Sequence, residues 1–291
     1  MLKIVPLVEN TTDSPKYRCK HGLCLYAQTE KHKILFDLGQ DDLFIENARK
    51  LNVDLSEIDT VIISHGHKDH GGALKTFLSM NAKAKIYIRK EAFDSHYIKV
   101  LGVPFFVGLD RELLASPQLV FTDEKTVIDE ELMLFSGVIP GAYPMKSNQV
   151  LFSKRQGKLL PDDFCHEQNL IITTGTRQVL LSGCSHAGIV SIQSKAEELT
   201  SQQMETVVGG FHLYNPPTKR YESTELIDAM ASVLREKGST YYTCHCTGMR
   251  AYERMKETLG EKLQYLSVGK RIELQGEMTV ETKVVTRKGQ K

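Results

Sequence analysis

Four side chains that bind metals fall within six positions of Ser64-His65-Gly66-His67-Lys68-Asp69-His70-Gly71-Gly72, and this stretch constrains the fold more tightly than any other. An apolar run, Val61-Ile62-Ile63, enters it, and a helical pattern starting at Ala73 leaves it. In a chain leaving a strand, His65 and His67 project to the same side, while Asp69 and His70 lie across the next turn. Two ligand pairs therefore face each other, which is more than one ion readily uses. Imidazole and carboxylate suit zinc, iron and manganese, and paired ions about 3.5–4 Å apart can hold a hydroxide between them as a nucleophile. Gly66, Gly71 and Gly72 allow the backbone to turn tightly and approach an ion or ligand closely.

One loop cannot complete two coordination shells, so further ligands must come from distant sequence. His186, in Leu181-Ser-Gly-Cys-Ser-His-Ala-Gly188, follows an apolar run and precedes a helical pattern. His245, in Tyr241-Tyr-Thr-Cys-His-Cys-Thr-Gly248, repeats that arrangement, and His212 follows the glycine-rich end of Val207-Val-Gly-Gly-Phe211. All three sit where an α/β sheet presents its functional edge, at the carboxyl ends of strands. His186 and His245 are assigned as metal ligands with the first loop. Asp69 and His212 are assigned as catalytic residues. His166, in Asp162-Asp-Phe-Cys-His-Glu167, fits either a ligand or a loop residue. His21, His32 and His96 lack supporting neighbours and read as surface or packing residues. Cys244 and Cys246 flank His245 without a second cysteine pair at finger spacing, so they belong to the main site or to packing. The basic pair Lys270 and Arg271 reads as a solvated pair beside a strand rather than a phosphate contact.

Apolar runs of strand length recur at Lys33–Asp37, Thr60–Ser64, Lys85–Arg89, Leu170–Thr173, Gln178–Ser182 and Glu205–Gly209. Helical spacing appears at Asp41–Leu51, Ala73–Met80, Ile189–Leu199, Ser223–Lys237 and Ala251–Leu259. The opening MLKIVPLVEN reads as an edge or early strand. The chain is thus α/β throughout, and strand-loop-helix recurs as if two similar halves brought loops to one edge. It is expected to form a single domain over 1–291, with a lid or substrate insertion at Lys90–Thr126.

Charge and hydropathy narrow the partners. Lys plus Arg number 37 and Asp plus Glu 36, which gives no field for gathering polyanions, so a small-molecule substrate is expected and nucleic acid is not. No apolar run approaches the roughly 20 residues of a membrane helix, and the start lacks a signal-peptide pattern. Six cysteines are too sparse for a disulfide scaffold. A cytoplasmic protein with free thiols and no membrane partner is the expectation.

His65-Gly-His67-Lys-Asp69-His70 resembles the His-x-His-x-Asp-His motif of the metallo-β-lactamase superfamily. Other segments are similar to its dihydropterin ribofuranosyl-aminobenzene phosphate synthase-like branch: His21-Gly22-Leu23, Leu35-Phe-Asp37-Leu-Gly39, Gly183-Cys-Ser-His186-Ala-Gly188, Gly209-Gly-Phe-His212-Leu213 and His245-Cys-Thr-Gly248. Together they span residues 21 to 248. The resemblance implies a four-layer αββα sandwich with two divalent metal ions at one edge, zinc first, then manganese or iron. It implies His65 and His67 on one ion, Asp69 and His70 on the other, later histidines completing both, and Asp37 orienting the metal loop. Where superfamily members often place a bridging Asp, this chain has Gly183-Cys184-Ser185-His186, leaving Cys184 or His186 for that place.

The function expected from this is hydrolysis of a small ester, lactone, amide or phosphoester by a metal-activated hydroxide. The alternatives are a pterin-transferring synthase and a metal-binding or sensing protein without catalysis. For a pterin, Tyr97, Phe105 and Phe106 are candidate lining. Substrate choice is expected to lie in Lys90–Thr126 and in the loop from Tyr143 to His166.

Overall fold

Residue-by-residue alternation assigns the strands to two different cores. Leu35, Val61, Ile63, Ile86 and Ile88 pack in one cluster with Phe44 and Phe77, whereas their neighbours Ile34, Phe36, Ile62 and Tyr87 face another. The same happens later in the chain: Ile171, Leu180 and Val207 join Ile192, Met230 and Met255, while Leu170, Val179, Leu181 and Val208 turn the other way. Strands buried on both faces read as near-continuous apolar runs, and their period of two assigns each residue to a core. The cluster containing Ile34, Ile62, Leu170 and Val208 is the one both sheets share. Helices cover the two outer faces, giving the α/β/β/α order.

The computed structural model describes residues 1–274. The first sheet runs Ile272–Leu274, Leu2–Val8, Cys24–Gln28, Lys33–Phe36, Thr60–Ile62, Lys85–Ile88, Leu119–Phe121. The second runs Leu263–Tyr265, Thr240–Thr243, Thr206–Gly209, Arg177–Leu181, Gln168–Thr174, Leu132–Ser136, Lys125–Val127. Each sheet begins in sequence with antiparallel pairs and continues with parallel ones, so the two-halves reading has a topological counterpart. Leu2–Val8 is an early strand but not an edge, because Ile272–Leu274 pairs outside it. Helices Leu43–Lys50 and Leu74–Met80 cover the first sheet; Ile189–Thr200, Thr224–Lys237 and Met249–Leu259 cover the second. Ser223 caps the fourth of these helices through Leu226 N–H, and Gly238 ends it at φ 77°.

The segment Lys90–Thr126 divides into parts with different places. Ser95–Val100 and Val103–Phe106 join Leu151–Arg155 and Lys158–Pro161 in a separate four-stranded sheet. Leu119–Phe121 returns to the first main sheet, and Lys125–Val127, which begins inside the segment, joins the second. The rest of the domain expected over 1–291, residues 275–291, lies outside the described residues. Among the described residues no helix is long and apolar enough to cross a membrane. Lys270 pairs with Asp13 at 3.0 Å on the surface.

Candidate metal centre

The loops after Thr60–Ile62, Arg177–Leu181, Thr206–Gly209 and Thr240–Thr243 leave the carboxyl ends of parallel strands and meet at one edge of the two sheets. They carry Ser64–His70, Gly183–His186, Gly210–His212 and Cys244–Cys246. The backbone is tight here. Asp37, Ser185, His212 and His245 hold left-handed φ values of 61°, 60°, 51° and 52°, a cluster of uncommon conformations of the kind that functional sites retain. Gly209 has no room for a side chain, since a Cβ would lie 2.2 Å from the Ser182 carbonyl oxygen.

Four of the imidazoles, His65, His70, His186 and His245, are each held by a hydrogen bond at Nδ1, which turns Nε2 toward the centre. Asp37 accepts from His70 Nδ1 at 2.7 Å. Ser64 donates Oγ–H to Asp37 at 2.7 Å and accepts from His65 Nδ1 at 2.8 Å. Asn148 Oδ1 accepts from His186 Nδ1, and Asn10 Oδ1 from His245 Nδ1, both at 3.0 Å. Such partners set the tautomer and aim a ligand. Asp37 takes the orienting position implied by the resemblance.

Two groups of donors result. In one, the rings of His65, His67 and His186 lie within 5.1 Å of one another, and the Nε2 atoms of all three are buried without a hydrogen-bond partner. In the other, His70 Nε2 is 3.2 Å from His245 Nε2, and Asp69 Oδ2 is 3.3 Å from His245 Nε2. Cys184 Sγ is 3.1 Å from His70 Nε2 and also falls within 4.8 Å of the ligand atoms of His65 and His186, so the thiol stands between the groups. Three buried polar atoms without partners would be costly in a finished interior. Burial, aided by neighbouring rings, pushes His65, His67 and His186 well below the usual imidazole range, which keeps them neutral as ligands must be. Burial would also lower His70, but the Asp37 and Asp69 carboxylates outweigh it and raise the group to about 9. Burial would raise Asp69; His70, His21 and His245 around it hold its carboxyl well below the ordinary range. The donor set and its charge fit divalent ions.

The six residues expected as ligands, His65, His67, Asp69, His70, His186 and His245, come together at this edge. His212 adjoins them, its ring 4.2 Å from that of His186 and both its nitrogens buried without a partner. Cys246 lines the same cavity, whereas Cys244 is buried in the core between the sheets. His166 has no free nitrogen: Nδ1 accepts from Gly66 N–H at 2.9 Å and Nε2 faces Asp162 at 3.3 Å.

Several residues here escaped sequence reasoning. His21 is no bystander, since its Nε2 lies 3.0 Å from Asp69 Oδ2. His96, expected on the surface or in packing, is fully buried, with Nδ1 3.0 Å from Asp162 Oδ2. Glu9 and Glu167 accept the backbone N–H groups of His245 and His186 at 2.7 and 2.6 Å, and burial pushes Glu167 up to about 7. A cavity of about 400 Å³ opens over the centre, walled by Ile98, Val107, Leu151, Pro216 and Pro217, with Lys68 as its cationic lining residue. Tyr97, Phe105 and Phe106 do not line it, and the two phenylalanines are 53 % exposed.

The two packed sheets carry at one edge His, Asp and Cys groups that could hold a metal ion. The family model for the metallo-beta-lactamase superfamily matches residues 17–160. A crystal structure described as a metal-dependent hydrolase of the beta-lactamase superfamily superposes with a TM-score of 0.78 at 30% identity, covering 94% of this chain and 99% of that one. This chain belongs to the metallo-β-lactamase superfamily. Among curated relatives, the 7,8-dihydropterin-6-methyl-4-(beta-D-ribofuranosyl)-aminobenzene-5'-phosphate synthase of Methanocaldococcus jannaschii is 28% identical over 92% of this chain and 95% of its own length. An uncharacterized protein of the same organism is 27% identical over 88% of this chain and 94% of its own.

Proposed function

We propose that this chain is a metal-dependent hydrolase acting on a small ester, lactone, amide or phosphoester. The observation that carries the reading is the trio of buried, partnerless Nε2 atoms on His65, His67 and His186 under a solvent-reached cavity. Two divalent ions, zinc before manganese or iron, held by these histidines with Asp69, His70 and His245, would supply a Lewis acid and bring the pKa of a water near neutrality. The remaining work belongs to the chain. Asp37, Ser64, Asn10 and Asn148 hold the imidazoles in their ligand tautomers. Cys184, within reach of both donor groups, would be a further ligand available to either ion. Ile98, Val107, Leu151, Pro216 and Pro217 exclude water from the bound substrate, and Lys68 receives an anionic substituent. Asp69 orients the reacting centre, and His212 passes a proton to the leaving group from a nitrogen that has no other partner. A small substrate fits the cavity, and the near balance of charges argues against nucleic acid.

The test is hydrolysis of a lactone, thioester and phosphodiester panel by protein stripped with a chelator and then reloaded with zinc, manganese or iron. Hydrolysis of at least one class, lost on stripping and restored on reloading, is expected. Metal-loaded protein that hydrolyses none of them contradicts the reading. It would favour a second one, supported by the 28% identity to the synthase: joining a pterin to a ribosylated aminobenzene phosphate.

A further inference from the structure

Three ionisable side chains, His96, Asp162 and His166, are completely buried beside the metal loop without a place in the donor groups above. Burying such groups is costly unless they are paired and hydrogen-bonded, and here the pairing is complete. Asp162 Oδ2 accepts from His96 Nδ1 at 3.0 Å and from His166 Nε2 at 3.3 Å, while Oδ1 accepts from Phe164 N–H at 2.9 Å. With its proton on Nε2, His166 presents the bare Nδ1 to Gly66 N–H, the amide between His65 and His67. The far side of His96 reaches the Glu91 carbonyl oxygen at 3.2 Å.

The same segment grips the loop a second time. Lys68 N–H donates to the Val107 carbonyl at 2.7 Å, and Val107 N–H donates to the His96 carbonyl at 2.9 Å. The N–H groups of Gly66 and Lys68, the residues flanking His67, are thus both anchored in the part of the chain that carries the four-stranded sheet. Gly66 is pressed onto this segment so closely that a Cβ would lie 2.3 Å from the Ala92 carbonyl oxygen and 2.8 Å from His96 Nε2. Ile98, Val107 and Leu151 of that segment and sheet also wall the cavity.

We propose that His96, Asp162 and His166 are positioning residues, a buried clamp that fixes the His65–Gly66–His67 turn and thereby sets the metal affinity of the centre. The inference rests on the metal-centre reading above. A clamped turn presents both imidazoles before an ion arrives, so that binding need not order them. The substrate wall and the metal loop then form one rigid unit rather than a lid over a separate site.

Cobalt(II) titration of the metal-free full chain, followed by its visible absorption bands, tests this in Asp162→Asn, His166→Leu and His166→Gln, with thermal unfolding of each metal-free protein recorded alongside. Affinity falls about ten- to hundredfold in Asp162→Asn and His166→Leu, the range for partners that orient ligands, and the band shape changes. His166→Gln largely recovers both, because its side-chain oxygen still accepts from Gly66 N–H. Unchanged affinity and bands in Asp162→Asn and His166→Leu overturn the proposal. So does equal loss in His166→Gln and His166→Leu, which would make His166 a ligand. If His166→Leu does not fold, Asp162→Asn against His166→Gln decides in the same way. Wild-type protein that binds no cobalt overturns the metal-centre reading and this inference together, whereas wild-type binding with unaffected variants overturns the clamp alone.

Discussion

His186 and His245 reach the centre from loops 59 positions apart, yet they are held in the same manner. A buried glutamate takes each backbone N–H, Glu167 for His186 and Glu9 for His245. An asparagine accepts from each ring Nδ1 and donates its amide to the same residue's carbonyl, Asn148 at 2.9 Å and Asn10 at 3.2 Å. The two sides differ in what lies beyond Nε2. His186 Nε2 has no hydrogen-bond partner and lies among the rings of His65, His67 and His212 with Cys184 Sγ within 4.8 Å, whereas His245 Nε2 lies 3.3 Å from the Asp69 carboxylate and 3.2 Å from His70 Nε2. One scaffold device therefore serves two donor sets of different charge, and the difference teaches that position and charge are set by separate residues.

The largest effect expected from that comparison is loss of hydrolysis to background in both His186→Ala and His245→Ala, measured as initial rates on the responsive substrate. Full activity in either variant would break the symmetry between the sides. Gly66→Ala should come next, destabilising the fold by about 1–3 kcal/mol because the added methyl overlaps the Ala92 backbone; urea unfolding of the metal-free protein measures it. Asn148→Ala and Asn10→Ala should each weaken one metal position about tenfold while leaving the other intact, read by competition with a chelator. Equal losses at both positions from either variant would show that the sides are not independent.

The smallest effect lies far from the centre and serves as its control. His32 stands between Asp59 at 3.0 Å and Asp129 at 2.5 Å; burial would lower its pKa, but the two carboxylates outweigh this and raise it. The folded protein then binds more protons than the unfolded one between the unfolded and folded pKa values. This increment of stability is therefore complete below about pH 6.5 and fades as pH rises through the folded pKa. Denaturant midpoints of wild type should fall slightly between pH 6 and pH 8 relative to His32→Asn, and parallel curves would remove His32 from the account.

What the sequence revealed was local. The four ligand-type residues of the first loop are neighbours in the chain, so spacing and the preceding strand place them together without tertiary knowledge. Helices such as Ile189–Thr200 and strands such as Lys33–Phe36 carried their own periodicity. The clamp was hidden because Gly66, His96, Asp162 and His166 are brought together by a sheet whose strands pair across more than fifty positions, Leu151 opposite Ile98. Short strands exposed along their whole length, such as Val103–Phe106, gave no alternation to read. His21 likewise acquires meaning only through Asp69, a contact across 48 positions.

The metal content of the purified protein, measured by elemental mass spectrometry beside His186→Ala, tests the central claim most directly. The account predicts about two ions per chain in wild type and about one in the variant, the survivor lying on the His70, His245 and Asp69 side. Folded wild-type protein that holds no ion after exposure to zinc, manganese or iron would contradict it.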